Sequence, residues 1–248
     1  MVSTRHHPRE FPSPEKAAKE LAKSSPAPTT NGASRKWVHT PSAALTIWLI
    51  VSLPLVIWDA GYVLLRPHSM PGGRLHSPVW TPYALYGTVD YIYGWPAYNA
   101  RNGFTAAQTL MNVFETLGYL YYMWIVYRNA ATVTSGRGAQ KKLNKGFVWL
   151  LAGEKVVAGR TGAVALLVAY TASVMTLSKT LLYWLNEFFS GFDNVGHNDA
   201  ATLLFLWIIP NGLWIIFPSY NIYTLGAEIL DSLDQTNSRG KPGRPKSS

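Results

Sequence analysis

The chain has 248 residues, 48% apolar and 14% charged, with ten Trp and fourteen Tyr, and that charged share is about half the usual one for a soluble domain. The length would fit one soluble domain, but the apolar residues gather into four blocks, each long enough to cross a hydrocarbon core of roughly 30 Å. The absence of Cys excludes disulfides, Cys–zinc sites and thiol nucleophiles, and the net charge of +9 sits in the two tails and one loop, not in the folded-surface stripe a nucleic-acid partner needs.

Residues 1–40 are rich in Pro, Ser, Lys and Ala and carry no apolar run, which predicts a disordered tail without a secretory signal peptide. The first span is expected over 42–65, SAALTIWLIVSLPLVIWDAGYVLL, with Pro54 tolerated where neighbouring helices satisfy the freed carbonyl. Residues 66–104 are too aromatic and Pro-rich for a plain linker and read as a structured cap over the helix ends. The second span is expected over 105–127. The third runs over 162–186, preceded by an interfacial segment, GFVWLLAGEKVV. The fourth runs over 200–225, with Pro210 and Pro218 as kinks. Domain boundaries follow: a tail to residue 40, a transmembrane domain over 41–226, and a disordered basic tail over 227–248.

Four spans put both termini and the middle loop on one side. That side holds eighteen of the 22 Lys/Arg, the 66–104 cap holds three, the 187–199 loop holds none, and Lys179 lies inside a span. The positive-inside rule makes that side cytoplasmic. Five spans, the alternative count, would break this agreement. The expected fold class is therefore all-α, an integral membrane bundle of four transmembrane helices.

Charged residues inside a span are costly and face the bundle interior. Here they are Asp59, Glu115 and Lys179, joined by the amides Asn112 and Asn211. Counted from the non-cytoplasmic end of each span, at 1.5 Å rise per residue, they lie at depths of roughly 9–17 Å, so helices entering from alternate sides bring polar groups to one level. Gln108, Asn112, Glu115, Tyr119 and Tyr122 fall on one helical stripe, as do Trp207, Asn211, Trp214 and Pro218. Asp59 and Tyr62 share a face of the first helix, and Thr176, Lys179 and Tyr183 share one of the third. These stripes predict an inward cavity with carboxylates in its upper half and aromatic walls. For any one of these residues, interhelical hydrogen bonding or charge neutralisation by Lys179 is the structural alternative; convergence of several at one depth favours a cavity.

Other signals are weak. Gly153, Gly159, Arg160 and Thr161 miss a phosphate loop by spacing and by Arg in place of Lys. All six histidines lie outside the spans without metal-ligand spacing, so no metal is expected. No Ser–His–Asp arrangement is visible.

These residues resemble the emopamil-binding protein family, the EXPERA-domain superfamily that includes sterol Δ8–Δ7 isomerase and the sigma-2 receptor. FLWIIPNGLWIIFPSY carries an Asn-x-x-Trp pair, Asn211 and Trp214, followed by Pro, as the isomerases do. LLYWLNEFFSGFDNVGH is similar to the isomerase segment ending the preceding helix, with Tyr183, Glu187, Gly191, Phe192, Gly196 and His197 in register. WDAGYVLL resembles the family's acid followed by an aromatic, with Asp59 in place of Glu. WTPYALYGTVDYIYG resembles the Tyr-containing stretch ending in an acid, here Asp90, and NVFETLGYLYY carries the intramembrane Glu as Glu115. The isomerase His one turn before the first-span acid corresponds to Leu55 here. The resemblance covers about residues 42–225 and implies a four-helix domain in the endoplasmic reticulum, around a pocket for a flat, greasy, often cationic ligand.

The function this implies is an isomerase that moves a double bond of a sterol or other terpenoid by protonation, carbocation formation and deprotonation. Glu115 or Asp59 would donate the proton, with Asp90 a second acid or a relay to water. Trp214, Tyr62 and Tyr119 would hold the cation by their ring faces, and Asn211 would orient the acid or the ligand. Asn112, Tyr183 and Lys179 complete the expected ligand contacts. Such chemistry calls for no cofactor. Partners are the sterol or terpenoid and the bilayer, with no nucleic acid and with a homodimer permitted. A terpenoid cyclase and a non-catalytic sterol-binding protein are the alternatives.

Overall fold

A computed structural model describes residues 37–132 and 154–239. The expected N-terminal tail up to residue 36, the first part of the expected interfacial segment (146–153) and the end of the basic tail (240–248) lie outside the described residues. Most of what is described is helix: α1 (Ala43–Leu64), α2 (Tyr83–Val89), α3 (Trp95–Asn99), α4 (Phe104–Asn129), α5 (Gly159–Phe189), α6 (Ala200–Leu203) and α7 (Ile209–Arg239). Leu204–Ile208 forms a π-helical turn that joins α6 to α7 into one rod. Three short strands, β1 (Val38–His39), β2 (Ala131–Thr132) and β3 (Lys155–Ala158), accompany them.

Three helical segments are long and apolar enough to cross a membrane: Ala43–Leu64, Gly159–Phe189 and Ala200–Asp234. They suggest a membrane protein. Helix α4, 26 residues long, carries the stripe of Gln, Asn, Glu and Tyr and so falls short on hydropathy alone.

Local chemistry explains the helix ends. Ser42 caps α1, its hydroxyl accepting from Leu45 N at 3.1 Å. Asp199 caps α6 by accepting from Ala201 N and Thr202 N, each at 3.0 Å. The π turn stands immediately before Pro210, which lacks an N–H and crowds the preceding turn, so the helix widens there rather than breaking. Helix α7 does not stop near residue 226. Leu225 is buried and Ile229 packs against the same core, an i, i+4 apolar pair that carries the helix on to Arg239 where the sequence reading placed a tail.

Helix α5 packs against both α4 and α7, and α4 packs against α1, while α1 and α7 touch only slightly. The main core lies among the inner faces of these four and includes Leu45, Trp48, Leu49, Tyr122, Ile125, Ala165 and Ala169. The strands form a small sheet in the order β1-β3-β2, antiparallel throughout, with His39 opposite Val157 and Thr132 opposite Lys155. Lys155–Ala158 thus pairs as a strand, although the sequence reading took it as the end of an interfacial segment. His39 is fully buried and ties this sheet to the helices, with Nδ1 3.0 Å from Glu228 Oε2 on α7 and Nε2 3.2 Å from Tyr122 Oη on α4.

The segment between α1 and α4 is folded, as its aromatic content demands. Trp80 Nε1 donates to Trp58 O at 3.0 Å and Arg66 Nη1 donates to Ile92 O at 3.2 Å, so the cap is fastened near the end of α1 at two points, Trp80 and Ile92. Gly94 is required where the chain folds back on Gly87, because a Cβ there would come within 2.2 Å of Gly87 O. Asn198 Nδ2 donates to Val89 O at 2.7 Å, which joins the cap to the loop between α5 and α6.

Candidate functional site

A cavity of about 480 Å³ lies where α1, the cap, α4, α5 and the Leu206–Trp214 stretch meet. Each element contributes for a local reason. Helix α1 and α7 separate here, and the cap folds down over the gap. Lower down, Trp48 closes the gap by stacking on Phe217 at 4.6 Å and meeting Trp214 edge-on at 5.0 Å. Of these three rings Trp214 lines the cavity.

Of the residues expected from the sequence, Asp59, Asn112, Lys179, Tyr183, Asn211 and Trp214 line this cavity. Asp59 accepts a hydrogen bond from Tyr83 Oη at 2.5 Å, and the Tyr93 hydroxyl also reaches it. Asn211 Nδ2 donates to Trp207 O at 2.9 Å, leaving its carbonyl oxygen for other partners. Asn112 Oδ1 is buried without a hydrogen-bond donor among the described residues. A buried carbonyl that lacks a donor is costly, and its position in the wall offers it to a ligand hydroxyl or a water.

The other four expected residues stand off the cavity. Glu115 is buried behind Lys179, whose ammonium lies 3.5 Å from Glu115 Oε2. The helical stripe therefore divides: Gln108 and Asn112 reach the cavity, while Glu115 meets the side of α5 and acts on the cavity only through Lys179. Tyr119, one turn further, bonds Ser173 Oγ at 3.2 Å and Thr176 Oγ1 at 3.1 Å in the α4–α5 interface. Tyr62 is fully buried beneath the wall, stacked on Tyr83 with ring centroids 3.7 Å apart. Asp90 is fully buried in the cap. It accepts from Tyr183 Oη, and from Trp207 Nε1 at 3.0 Å.

The sequence reading missed the cap's share of the wall. Tyr83, Tyr86 and Tyr93 all line the cavity, with Tyr83 and Tyr93 centroids 5.9 Å apart and Tyr86 and Tyr93 5.1 Å apart. The signal was present as four Tyr between residues 83 and 93, yet no periodicity in a cap of short turns shows which of them point inward. Leu55 and Leu206 supply apolar wall.

The electrostatics of the cap follow from its dryness. Burial pushes the Asp90 carboxyl up to about 6, against hydrogen bonds from Tyr183, Ile92 N–H and Trp207, and with Glu187 adding repulsion. Burial first, then nearby carboxylates, pushes the phenols of Tyr83 and Tyr86 well above their ordinary value, so both are neutral donors at all working pH. Burial lowers Arg66, opposed by the neighbouring tyrosines and Asp59.

Comparison with protein-family models, with characterised proteins and with solved structures gives no match for this chain. The functional reading therefore rests on the residues and their arrangement.

Proposed function

We propose that the chain is an EXPERA-type integral membrane protein of four spans whose cavity takes a sterol or related terpenoid alkene and shifts its double bond. The observation that carries this reading is the placing of the Asp59 carboxyl and the Trp214 ring in one apolar cavity of about 480 Å³. That volume falls in the range of roughly 300–1,000 Å³ of small-molecule sites.

The fourth span is α4. Its polar side chains Glu115, Tyr119 and Tyr122 are buried, whereas Leu110, Phe114, Leu117 and Trp124 are all more than half exposed, a surface suited to lipid. With α4 crossing, the charge distribution favours cytoplasmic termini, and the family resemblance favours the endoplasmic reticulum membrane.

Isomerisation requires an acid that protonates one alkene carbon, an environment that stabilises the cation, and a base that removes a proton from a neighbouring carbon. Asp59 is the donor, being the carboxyl in the cavity wall, and Tyr83 holds it in place. Trp214, Tyr83 and Tyr86 present ring faces or edges to the cation. Glu115 holds the Lys179 ammonium at 3.5 Å, and Asn112 and Asn211 fix the ligand by hydrogen bonds. A non-catalytic sterol-binding role is the second reading, favoured by one observation: Leu55 fills the part of the wall where the related isomerases place an imidazole.

Expression in cells lacking sterol Δ8–Δ7 isomerase, followed by sterol profiling, tests the proposal. The expected result is Δ7 sterol with the wild-type chain and none with Asp59→Asn. Feeding polyprenylated epoxides in the same cells tests the cyclase alternative. If neither substrate is consumed and the purified protein still binds sterols, the binding role replaces the catalytic one.

A further inference from the structure

The cap side of the cavity holds a second hydrogen-bonded cluster. Tyr183 stands in the wall, and its hydroxyl donates to Asp90 Oδ2. Trp207 Nε1 donates both to that oxygen and to Tyr183 Oη, each at 3.0 Å, so the indole clamps phenol and carboxylate together. Asp90 Oδ1 accepts from Ile92 N at 3.1 Å. Behind Asp90 lies Glu187, also fully buried, with Oε1 accepting from Asn194 Nδ2 at 2.8 Å and Asn186 Nδ2 at 3.3 Å. Among the described residues no Lys or Arg forms a salt bridge with Asp90. A buried carboxylate that faces a second carboxylate and lacks a cation gains by accepting a proton.

On the reading of the cavity as a site of alkene isomerisation, we propose that Tyr183 is the group that removes the proton from the cationic intermediate, with Asp90 as the proton's destination. The C–H bond beside the cationic carbon breaks, and its electron pair becomes the new C=C bond. The released proton bonds to Tyr183 Oη as Tyr183's own proton passes along the existing hydrogen bond to Asp90 Oδ2. Asp59, having given its proton to the alkene, is left ionised, so one turnover moves one proton from Asp59 to Asp90. The cycle closes through solvent: the Tyr86 hydroxyl reaches Tyr183 and the Tyr93 hydroxyl reaches Asp59, so each end has a cavity-wall phenol through which Asp90 loses its proton to water and Asp59 regains one. Tyr183 is the catalytic residue in this scheme, while Asp90 and Trp207 are positioning residues that act through it. Acid and base thus sit on different elements, Asp59 on α1 and Tyr183 on α5, and address different carbons of a ligand lying between them.

The test uses purified full-length protein in detergent with a Δ8 sterol as probe, comparing wild type, Tyr183→Phe and Trp207→Phe. Wild-type kcat should rise with pH through about 6, where Asp90 ionises and becomes able to accept. Tyr183→Phe keeps the ring and should lower kcat by ~10²-fold or more with KM little changed, and should abolish that acid limb. Trp207→Phe should move the limb. Wild-type kcat with an unaltered limb in Tyr183→Phe overturns the proposal and leaves the isomerase reading standing. A second measurement needs no turnover: infrared titration of the Asp90 carboxyl, assigned with Asp90→Asn. Its midpoint should rise in Tyr183→Phe, which loses a bond that favours the ionised form. A midpoint that stays put overturns the proposal. Absence of any conversion by the wild type overturns proposal and isomerase reading together, and a shifted midpoint then locates the failure in the assigned chemistry, not in the Tyr183–Asp90 contact.

Discussion

Lys179→Met is the substitution whose cost can be worked most fully from the structure. The Lys179 and Glu115 side chains are 12% and 4% exposed, and their charged ends lie 3.5 Å apart. Removing the ammonium leaves a buried carboxylate without its countercharge, a loss of about 3–5 kcal/mol. The reverse change is milder. Glu115→Gln leaves Lys179 in the cavity wall, partly exposed and still beside the Gln carbonyl, so the cost should be about 1–2 kcal/mol. The double variant removes both charges and should cost roughly what Glu115→Gln costs, giving a coupling of about 3–5 kcal/mol. Thermal unfolding in detergent, followed by Trp fluorescence, reads these values. For a chain of this size Lys179→Met should lower Tm by roughly 6–20 °C. Additive losses in the double variant would refute the argument, since they would mean that the two groups do not neutralise one another.

Three further predictions concern charge, cavity and topology. Because the folded state holds Asp90 at about 6 against an ordinary 3.8, folding favours its protonated form. Its contribution to stability is complete at acid pH and is lost as pH rises through about 6, a change on the order of 2–3 kcal/mol; Tm measured from acid to neutral pH should fall across this window, and Asp90→Asn should flatten the slope. Trp214→Leu keeps the cavity apolar but removes a ring quadrupole, and should weaken binding of a cationic sterol-like amine by roughly 0.5–2 kcal/mol by calorimetry; undiminished affinity would remove Trp214 from the cation wall. Epitope tags at the two termini should both be accessible from the cytoplasm in selectively permeabilised cells, and tags on opposite sides would exclude four spans.

What could be read in the sequence follows from the range of the interactions involved. Long apolar runs reported the helices because a run needs no tertiary partner to be recognised. The charges inside the apolar blocks likewise pointed to a buried polar layer, and Asp59, Lys179, Asn211 and Trp214 meet in one cavity. Helical spacing placed Glu115 on the same stripe as Asn112, but the rotation of α4 against α5 decides which of the two reaches the cavity, and that rotation is set by packing at Tyr119, Ser173 and Thr176. The strands were invisible because pieces of two to four residues carry no alternation long enough to detect. The extension of α7 was legible in the Leu225–Ile229 spacing, but the charges around it resembled a solvated tail. Asp90 illustrates the limit best: its family resemblance was visible, while its bond to Tyr183 spans 93 positions in the chain and no local pattern encodes it.

The central claim is that an acid in the wall of this cavity protonates an alkene. The most direct measurement is incubation of the purified protein with a Δ8 sterol in deuterated water, with product deuterium located by mass spectrometry. A Δ7 product should carry one deuterium at the protonated carbon after the first turnover, and Asp59→Asn should give no labelled product. An unchanged, unlabelled sterol from a protein that binds it tightly would contradict the account.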